Sequence, residues 1–297
     1  MRVSVLLLCV SLCGCDPASV DDAGAPLDGG LDASSVTDGG STDAGPPGAD
    51  AGSGDAGSVD AGSVDAGSVD AGSAPRYSGT VSLGHNVDTH SLSGLFTESI
   101  PVERLLEGAL SPLCTTIVES GGCRVFECPS ASGFEPAGTL TASVNGTDVE
   151  TATPGTENLY LATGSGRVFV AGDTVRFTST GDVVPAFDVT VTAPATGTAS
   201  VPSTISRTAP LTVTWSTATA PDRIQFVLSS PARVLACIVD GAGGSLTVDT
   251  TALGALAPTA TGGFAMSAFN LTPVTVGDWD LLATASEALG TGAVTIE

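Results

Sequence analysis

The stretch Thr139-Leu-Thr-Ala-Ser-Val144, followed directly by Asn145-Gly146, decides the fold class of this chain. Its apolar side chains alternate with small polar ones, which is the period of a strand that buries one face. Asn-Gly is the pair that a two-residue hairpin turn prefers, because both central positions of that turn need a positive φ. The segment therefore predicts a β-hairpin on a half-buried sheet.

Similar short runs recur on both sides of this hairpin, with turn residues roughly every 8 to 12 positions, as in a β-sandwich. We therefore predict an all-β fold of antiparallel, immunoglobulin-like sandwich units. A helical pattern is confined to Val102–Leu110 and Thr250–Leu256. The predicted strands are Thr115–Glu119, Arg124–Cys128, Thr139–Val144, Arg167–Val170, Thr174–Thr178, Phe187–Thr192, Leu211–Trp215, Ile224–Ser229, Val234–Val239, Ser245–Val248, Phe264–Leu271 and Trp279–Ala285.

A proline-bounded segment, Pro194–Pro202, lies in the middle of this β-rich region. Strand-like runs end just before it and begin again just after it. The segment predicts a boundary between two sandwich units, one over residues 76–195 and the other over residues 196–297.

Residues 16–75 consist almost entirely of Asp, Ala, Gly, Ser, Val and Pro, and a five-residue repeat starts at Asp50 and recurs up to Asp70. Such a composition cannot bury enough apolar surface to offset the entropy of ordering the chain. We predict that residues 15–75 form a disordered acidic tether that begins at Cys15. Calcium binding is an alternative for the repeat, but the β-rolls that bind calcium use a nonapeptide with several glycines.

The first fifteen residues predict export. A short positive start, Met1-Arg2, precedes the apolar run Val3–Leu12, which is too short to cross a membrane as a helix. Gly14 then places a small residue directly before Cys15, which resembles the lipobox of bacterial lipoproteins. The resemblance implies a signal peptide over residues 1–14 and a lipid on Cys15 that anchors the chain in a membrane. An ordinary secretory signal with incidental cysteines is the alternative.

Charge excludes one class of partner. The chain carries 32 acidic residues against 9 basic ones, all of them arginine, and has a formal net charge of −23. Binding of nucleic acid requires a cationic surface that displaces counterions from phosphates. We therefore expect no nucleic-acid partner.

Four cysteines remain beyond the signal and the lipid site, and in an exported domain they predict two disulfides rather than zinc ligation. If Ser120-Gly121-Gly122 forms a three-residue hairpin loop, Glu119 faces Cys123, and the same register places Cys114 opposite Cys128. Cys123 then points to the other face of the hairpin. Of the three possible connectivities we therefore favour Cys114–Cys128 with Cys123–Cys237.

Candidate binding and metal residues are few. His85, Asp88 and His90 lie within six residues, and a metal site would use both imidazoles and the carboxylate. Residues five apart on one strand point to opposite faces, so we expect a polar loop rather than a metal centre. The acidic-aromatic triplet Asp278-Trp279-Asp280 is the candidate binding patch. Trp215, which ends an alternating strand, is expected to lie in the core.

Two motifs connect the chain to a known group. Val184-Pro185-Ala186-Phe187 approaches the proposed boundary, and Leu211-Thr-Val-Thr-Trp215 follows it and precedes Cys237. Together with the Asp-Ala-Gly tether, they resemble myxobacterial cell-surface lipoproteins of uncharacterised function. The resemblance implies an outer-membrane or cell-surface location and carries no catalytic residues. Inner-membrane retention is the alternative, because Asp16 directly follows the lipid cysteine, which favours retention under the enterobacterial sorting rule.

From these features we expect a non-catalytic surface lipoprotein that serves in binding, in adhesion or as a structural part of the envelope. Its partners are expected to be the membrane, through the lipid, and an unknown extracellular or periplasmic ligand. We expect no cofactor, because no phosphate loop or nucleophile elbow occurs in the sequence. A hydrolase on the exported side of the membrane, with a carboxylate or metal site, is the alternative.

Overall fold

The computed structural model describes residues 77–98, 114–127 and 133–297, all of which belong to one unit. The predicted signal peptide, Cys15, the tether, the helix Val102–Leu110 and Cys128 lie outside the described residues. Within the part of the chain that is described, no helix is long and apolar enough to cross a membrane.

One large sheet of ten strands organises the molecule, in the order β3-β4-β14-β13-β16-β17-β1-β2-β7, with β11 also paired to β17. Its pairings are antiparallel except for β1 and β11, each of which runs parallel to β17. The strands are β1 (Tyr77–Asn86), β2 (Thr89–Glu98), β3 (Thr115–Ser120), β4 (Cys123–Glu127), β7 (Tyr160–Ser165), β11 (Thr204–Ile205), β13 (Arg223–Ser229), β14 (Val234–Asp240), β16 (Thr259–Val276) and β17 (Trp279–Ile296).

Two smaller antiparallel sheets pack against this large one. The first has the order β6-β5-β8-β9 and the second the order β10-β12-β15. Their strands are β5 (Leu140–Val144), β6 (Thr147–Ala152), β8 (Thr174–Ser179), β9 (Asp188–Thr192), β10 (Gly197–Ser200), β12 (Leu211–Thr217) and β15 (Ser245–Val248). A short helix, α1 (Thr250–Gly254), and 3₁₀ turns at Thr156–Asn158 and Gly241–Gly243 complete the described elements.

Each small sheet closes one hydrophobic core. In the first sandwich, Leu140 and Phe177 of the four-stranded sheet pack in one cluster with Leu83 and Phe96 of the large sheet. In the second sandwich, β12 buries Leu211, Val213 and Trp215 while the intervening threonines remain exposed. This alternation is the period-two pattern that the sequence predicts. The predicted all-β sandwich fold is confirmed.

The second sandwich has the strand arrangement of an immunoglobulin-like domain. Strands β10, β12 and β15 form one sheet, and β13, β16 and β17 belong to the other. These correspond in chain order to strands A, B and E against strands C, F and G. Strand β14 extends the second sheet beyond β13, and β3–β4 adds a further hairpin at that edge.

The predicted boundary at residues 195 and 196 separates the two small sheets but not the large one. Strands β16 and β17 are each 18 residues long, whereas strands usually span about 3 to 10 residues. The first half of β17 lies in the first core and its second half lies in the second. The described residues therefore form two hydrophobic cores on a shared hairpin, and neither core is built from one consecutive segment of the chain.

Two local predictions differ from the structure. Residues 167–170, predicted as a strand, lie in the loop between β7 and β8. Residues 85–90, for which the sequence predicts a polar loop, lie instead in the hairpin β1–β2 and include its tight turn. Glycine and serine alternate with the apolar residues of these two strands and weaken the local signal, because neither has a high strand propensity. Pairing with β17 and β7 supplies the stabilisation that the local sequence lacks.

Candidate functional site: a buried charge cluster beneath three loops

The hairpin β1–β2 brings the two histidines together. His85 and His90 are direct partners across the two strands, so their side chains share one face of the sheet. Both are buried, at 3% and 6% exposure. The expectation that these residues lie in a polar loop is therefore wrong. Asp88 does not join them, because it lies exposed in the connecting turn.

Glu287 of β17 lies opposite His85 in the parallel pairing of β1 with β17. Its Oε2 atom is 3.3 Å from His85 Nδ1, and its Oε1 atom accepts a hydrogen bond from Arg167 Nη2. Arg167 also donates through Nη1 to the backbone oxygen of Phe169, at 3.2 Å. The Phe169 ring in turn packs edge-on against His85, with centroids 6.0 Å apart. One buried carboxylate thus joins β17 to β1 and to the loop after β7.

His90 is held by a second set of contacts. Its Nε2 atom is 3.2 Å from Oε2 of Glu150 on β6, and its Nδ1 atom is 3.1 Å from the backbone oxygen of Gly166. A carbonyl oxygen can only accept, so Nδ1 carries a proton in this contact. The ring lies directly over Gly164, where an added Cβ would approach it to 2.4 Å. Glycine at this position therefore makes room for the imidazole.

Burial is the main influence on the protonation of His85. Desolvation lowers the pKa of His85 below its ordinary value of 6.5, against the attraction of Glu287, and the charge of Arg167 adds to the lowering. Among the described residues, Nε2 of His85 has no hydrogen-bond partner, and Nδ1 has only its 3.3 Å contact with Glu287. His85 is therefore neutral at pH 7 and lies beside an arginine-carboxylate pair.

A metal centre does not account for this arrangement. Among the described residues, no group of three or more His, Cys, Asp or Glu side chains is placed to hold a metal ion. The guanidinium of Arg167 contacts Oε1 of Glu287, whereas His85 lies beside Oε2. We define the charge cluster as His85, His90, Glu150, Arg167 and Glu287.

Three loops lie at the same end of the first sandwich as the charge cluster and are fixed by hydrogen bonds. They are the turn Val87-Asp88, the turn Asn145-Gly146 and the segment Gly166–Asp173, which we call the three loops. Gly166 donates its backbone N–H to the backbone oxygen of Asp88 at 2.7 Å. Asn145 donates from Nδ2 to Oδ1 of Asp173 at 2.8 Å.

Asp173 stabilises the segment Gly166–Asp173 through hydrogen bonds of its side chain. Its Oδ2 atom accepts the backbone N–H of Val170 at 2.7 Å. This hydrogen bond, followed by the one from Asn145, lowers the pKa of the Asp173 carboxyl below its ordinary value of 3.8. The carboxylate therefore stays ionised over the whole neutral and mildly acidic range, and protonation of Asp173 itself does not break these two hydrogen bonds there.

The three loops also carry exposed apolar side chains. Val87 is 79% exposed and Val170 is 56% exposed. Loops set on a rigid sandwich are the usual location of binding residues in this architecture. The arrangement can therefore present a preorganised surface to a ligand.

The predicted binding patch at Asp278-Trp279-Asp280 is wrong in its central residue. Trp279 is only 3% exposed and stacks on Tyr77, with ring centroids 4.8 Å apart. Asp278 is exposed in the turn between β16 and β17, and Asp280 accepts a hydrogen bond from the hydroxyl of Thr275. An aromatic residue at the first position of a strand points to the core here, which the sequence alone does not reveal.

The disulfide between Cys123 and Cys237 is present, and it joins direct partners on β4 and β14. The hairpin register that suggested it is wrong at the turn, where Ser120 rather than Glu119 faces Cys123. Gly121 and Gly122 both have positive φ, which permits a two-residue turn.

A β-bulge at Ile117 then restores the predicted register beyond it, so that Thr116 faces Phe126. Cys114 is disulfide-bonded. Its predicted partner, Cys128, lies outside the described residues, so this pairing stays a prediction.

Trp215 lies in the second core, as predicted, and its indole Nε1 donates to the backbone oxygen of Gly241 at 3.1 Å. Sequence reasoning missed Glu150, Arg167 and Glu287. A single charged residue inside the otherwise small and apolar run Ala283–Gly290 is the signal that could have identified Glu287.

No protein-family model matches the chain, and no curated protein is similar to it. The solved structures that the chain matches include three whose sequence identity to it is low. The central fibronectin type III array of a RIM-binding protein is 11% identical, with 62% of this chain and 68% of that chain covered and a TM-score of 0.18.

A marsupial T cell receptor is 14% identical, with 61% and 72% covered and a TM-score of 0.22. A bacterial ice-binding adhesin is 13% identical, with 74% and 65% covered and a TM-score of 0.19. At these values the fold assignment rests on the strand pairings described above.

Proposed function

We propose that this chain is an exported surface lipoprotein whose β-sandwich body binds a ligand at the cell surface and performs no catalysis. The lipid on Cys15 anchors it in the outer membrane, and residues 16–75 form the spacer between membrane and body. The run Val3–Leu12 and the Gly14–Cys15 junction support the anchor. The acidic composition of the spacer supports an extended chain, because like charges repel each other.

The main support for a binding role is the exposure of Val87 and Val170 on loops that hydrogen bonds hold in place. Side chains held in place before binding lose little conformational entropy when a ligand covers them. Asp173 bonds the backbone of Val170 and the side chain of Asn145, and the backbone of Gly166 separately bonds His90 of the charge cluster. We therefore place the ligand contact at these three loops.

The loop surface is tested by co-sedimentation of the full chain with isolated cell-envelope fragments. The double variant Val87→Ser/Val170→Ser should sediment far less than the unaltered chain. Covering one valine contributes about 1.5 kcal/mol or somewhat more, which corresponds to roughly a tenfold change in affinity.

Val183 supplies the matched control, because it is similarly exposed, at 53%, and lies in the loop between β8 and β9. Val183→Ser should sediment like the unaltered chain. If all three proteins sediment equally, the ligand does not contact the three loops.

The anchor is tested by the intact mass of the mature protein from membranes, with thiols alkylated before and after reduction. We expect a chain that starts at an acylated Cys15, with the four body cysteines alkylated only after reduction. The variant Cys15→Ala should lose the acyl mass, whereas Cys13→Ala should retain it. An unlipidated wild-type chain would contradict the proposal of a lipid anchor.

A further inference from the structure

The charge cluster contains a titratable group that is neutral, buried and central. His85 faces Glu287 on β17, Arg167 in the loop after β7 and His90 on β2. His90 in turn faces Glu150 on β6. The charged side chains that the structure places near these two imidazoles are therefore Glu150, Arg167 and Glu287.

We propose that the charge cluster is an acid-sensitive clasp, which releases the three loops of the first sandwich when His85 takes up a proton. The clasp connects the loops to the body at two points. Arg167, inside the segment Gly166–Asp173, bonds to Glu287, and His90 bonds to the backbone of Gly166. Both contacts lie beside the His85 ring.

Protonation of His85 places an additional positive charge in a buried site. The guanidinium of Arg167 already neutralises Glu287, so the carboxylate that attracts the imidazolium is shared. Glu287 Oε2 lies 3.3 Å from Nδ1, whereas among the described residues Nε2 has no hydrogen-bond partner that could stabilise a second N–H. A buried charge without full compensation is costly, and opening of the site to water is the available relief.

The direction of the pH dependence follows from the lowered pKa of His85. Above pH 6.5, the imidazole is neutral in both folded and unfolded chains, and its protonation does not affect stability. As the pH falls below 6.5, the unfolded chain takes up a proton and the folded chain does not. The equilibrium constant for unfolding then rises with a limiting slope of about tenfold per pH unit, until the folded pKa is reached.

The two tryptophans provide a reporter for each core. Trp279 lies in the first core and Trp215 in the second, and the chain contains no other tryptophan. Trp215→Phe leaves a signal from the first sandwich, and Trp279→Phe leaves one from the second. Urea unfolding at pH 7.5, 6.5 and 5.5 avoids the range in which ordinary carboxylates titrate.

We expect the urea midpoint reported by Trp279 to fall between pH 6.5 and 5.5, and the midpoint reported by Trp215 to fall less. His85→Leu, added to the Trp215→Phe chain, should abolish the fall, because leucine fills the site without titrating. His90→Gln is the matched control on the paired strand and should retain the fall. Any of three outcomes would overturn the proposal. The urea midpoint of the chain with the unaltered site does not change with pH, the midpoints reported by both tryptophans fall equally, or His85→Leu shows the same fall.

A second measurement does not depend on the folding of any variant. The chain has two histidines, so the imidazole carbon-proton signals of the full chain resolve into two titrations by nuclear magnetic resonance. We expect the His85 signal to titrate below 6.5 or to disappear as the loops open. Titration at or above 6.5 in the folded chain would overturn the clasp.

That acid release weakens ligand binding rests on the proposed function, since it places the ligand at the three loops. Neither experiment uses a ligand. If envelope binding fails while the midpoints behave as expected, the clasp stands without the binding role. If binding depends on Val87 and Val170 while the midpoints do not change, the binding role stands without the clasp.

Discussion

The two sandwiches share one long hairpin, yet their interiors are stabilised differently. Around the second core, the buried polar side chains among the described residues are only Gln225 and Ser267. The strands of the first sandwich bury eight polar or charged side chains: Ser78, Ser82, His85, His90, Thr97, Ser143, Ser179 and Glu287. The first interior is therefore sensitive to protonation, whereas the second is almost entirely apolar.

The second sandwich has a covalent connection in place of a charged one. The Cys123–Cys237 disulfide lies inside its core and connects the added hairpin β3–β4 to β14. Ser120 at the tip of that hairpin also bonds to Asp249, whose Oδ1 caps α1. The same architecture thus combines a crosslink that is indifferent to mild acid with a cluster that responds to it.

Removal of the disulfide should produce the largest change and should affect the second core first. The bridge spans 114 residues of sequence, and closing a loop of that size contributes about 4 to 5 kcal/mol in the chain-entropy account. We expect Cys123→Ala/Cys237→Ala to lower the urea midpoint reported by Trp215 by a corresponding amount. A smaller fall in the urea midpoint reported by Trp279 would show that the two cores unfold separately. Equal large falls in both midpoints would show that the two cores unfold as one cooperative unit.

The pair of Arg167 with the buried Glu287 should also matter to the first sandwich. Arg167→Met keeps the apolar stem but leaves Glu287, which is only 5% exposed, beside an uncharged His85. Loss of one partner from a fully buried ion pair costs about 3 to 5 kcal/mol, and we expect a smaller cost here because solvent screens the Arg167 side chain, which is 35% exposed. We expect the midpoint reported by Trp279 to fall more than that reported by Trp215. If the midpoint falls no more than it does in ordinary surface variants, the charge cluster does not stabilise the first sandwich.

A smaller effect should come from the glycine beneath His90. Gly164→Ala places a Cβ 2.4 Å from the imidazole, and overpacking of this kind costs about 1 to 3 kcal/mol. Gly290→Ala in β17 is the matched control, because the nearest atom would be at 3.5 Å. We expect calorimetry to show a lower melting temperature for the first variant only. Equal melting temperatures would mean that the His90 ring moves aside without cost.

The fold class could be predicted from the sequence because alternation is local. Val213 and Trp215 alternate with threonines within one strand, and Asn145-Gly146 fixes its hairpin through backbone conformation alone. The shared large sheet could not be predicted, since the pairing of β1 with β17 joins residues about two hundred positions apart. No local pattern encodes such a partner.

The charge cluster is hidden from the sequence for the same reason. His85 and His90 are near neighbours, but Glu150, Arg167 and Glu287 come from three other segments. The sequence predicts a loop at the two histidines because the hairpin that aligns them contains many small residues. The Cys123–Cys237 disulfide was predicted correctly although the predicted register of the β3–β4 turn was wrong.

The smallest effect should come from an exposed pair with the same chemistry as the buried one. Arg176 of β8 donates from Nε to Oδ1 of Asp188 on β9 at 2.7 Å, and both side chains are about half exposed. The hydrogen bond from Arg176 lowers the pKa of Asp188 below 3.8, so the pair stabilises the fold only above that range and loses its effect as the pH falls through the lowered pKa.

Solvent screens such a pair, and measured surface pairs contribute little. We therefore expect Arg176→Met to leave the urea midpoint from Trp279 unchanged within error at neutral pH, in contrast to Arg167→Met in the same sandwich. A shift as large as that of Arg167→Met would show that pairing itself stabilises this sandwich. Both variants remove a guanidinium from a carboxylate partner. If the urea midpoint falls strongly in Arg167→Met and does not change in Arg176→Met, the stabilisation therefore comes from burial.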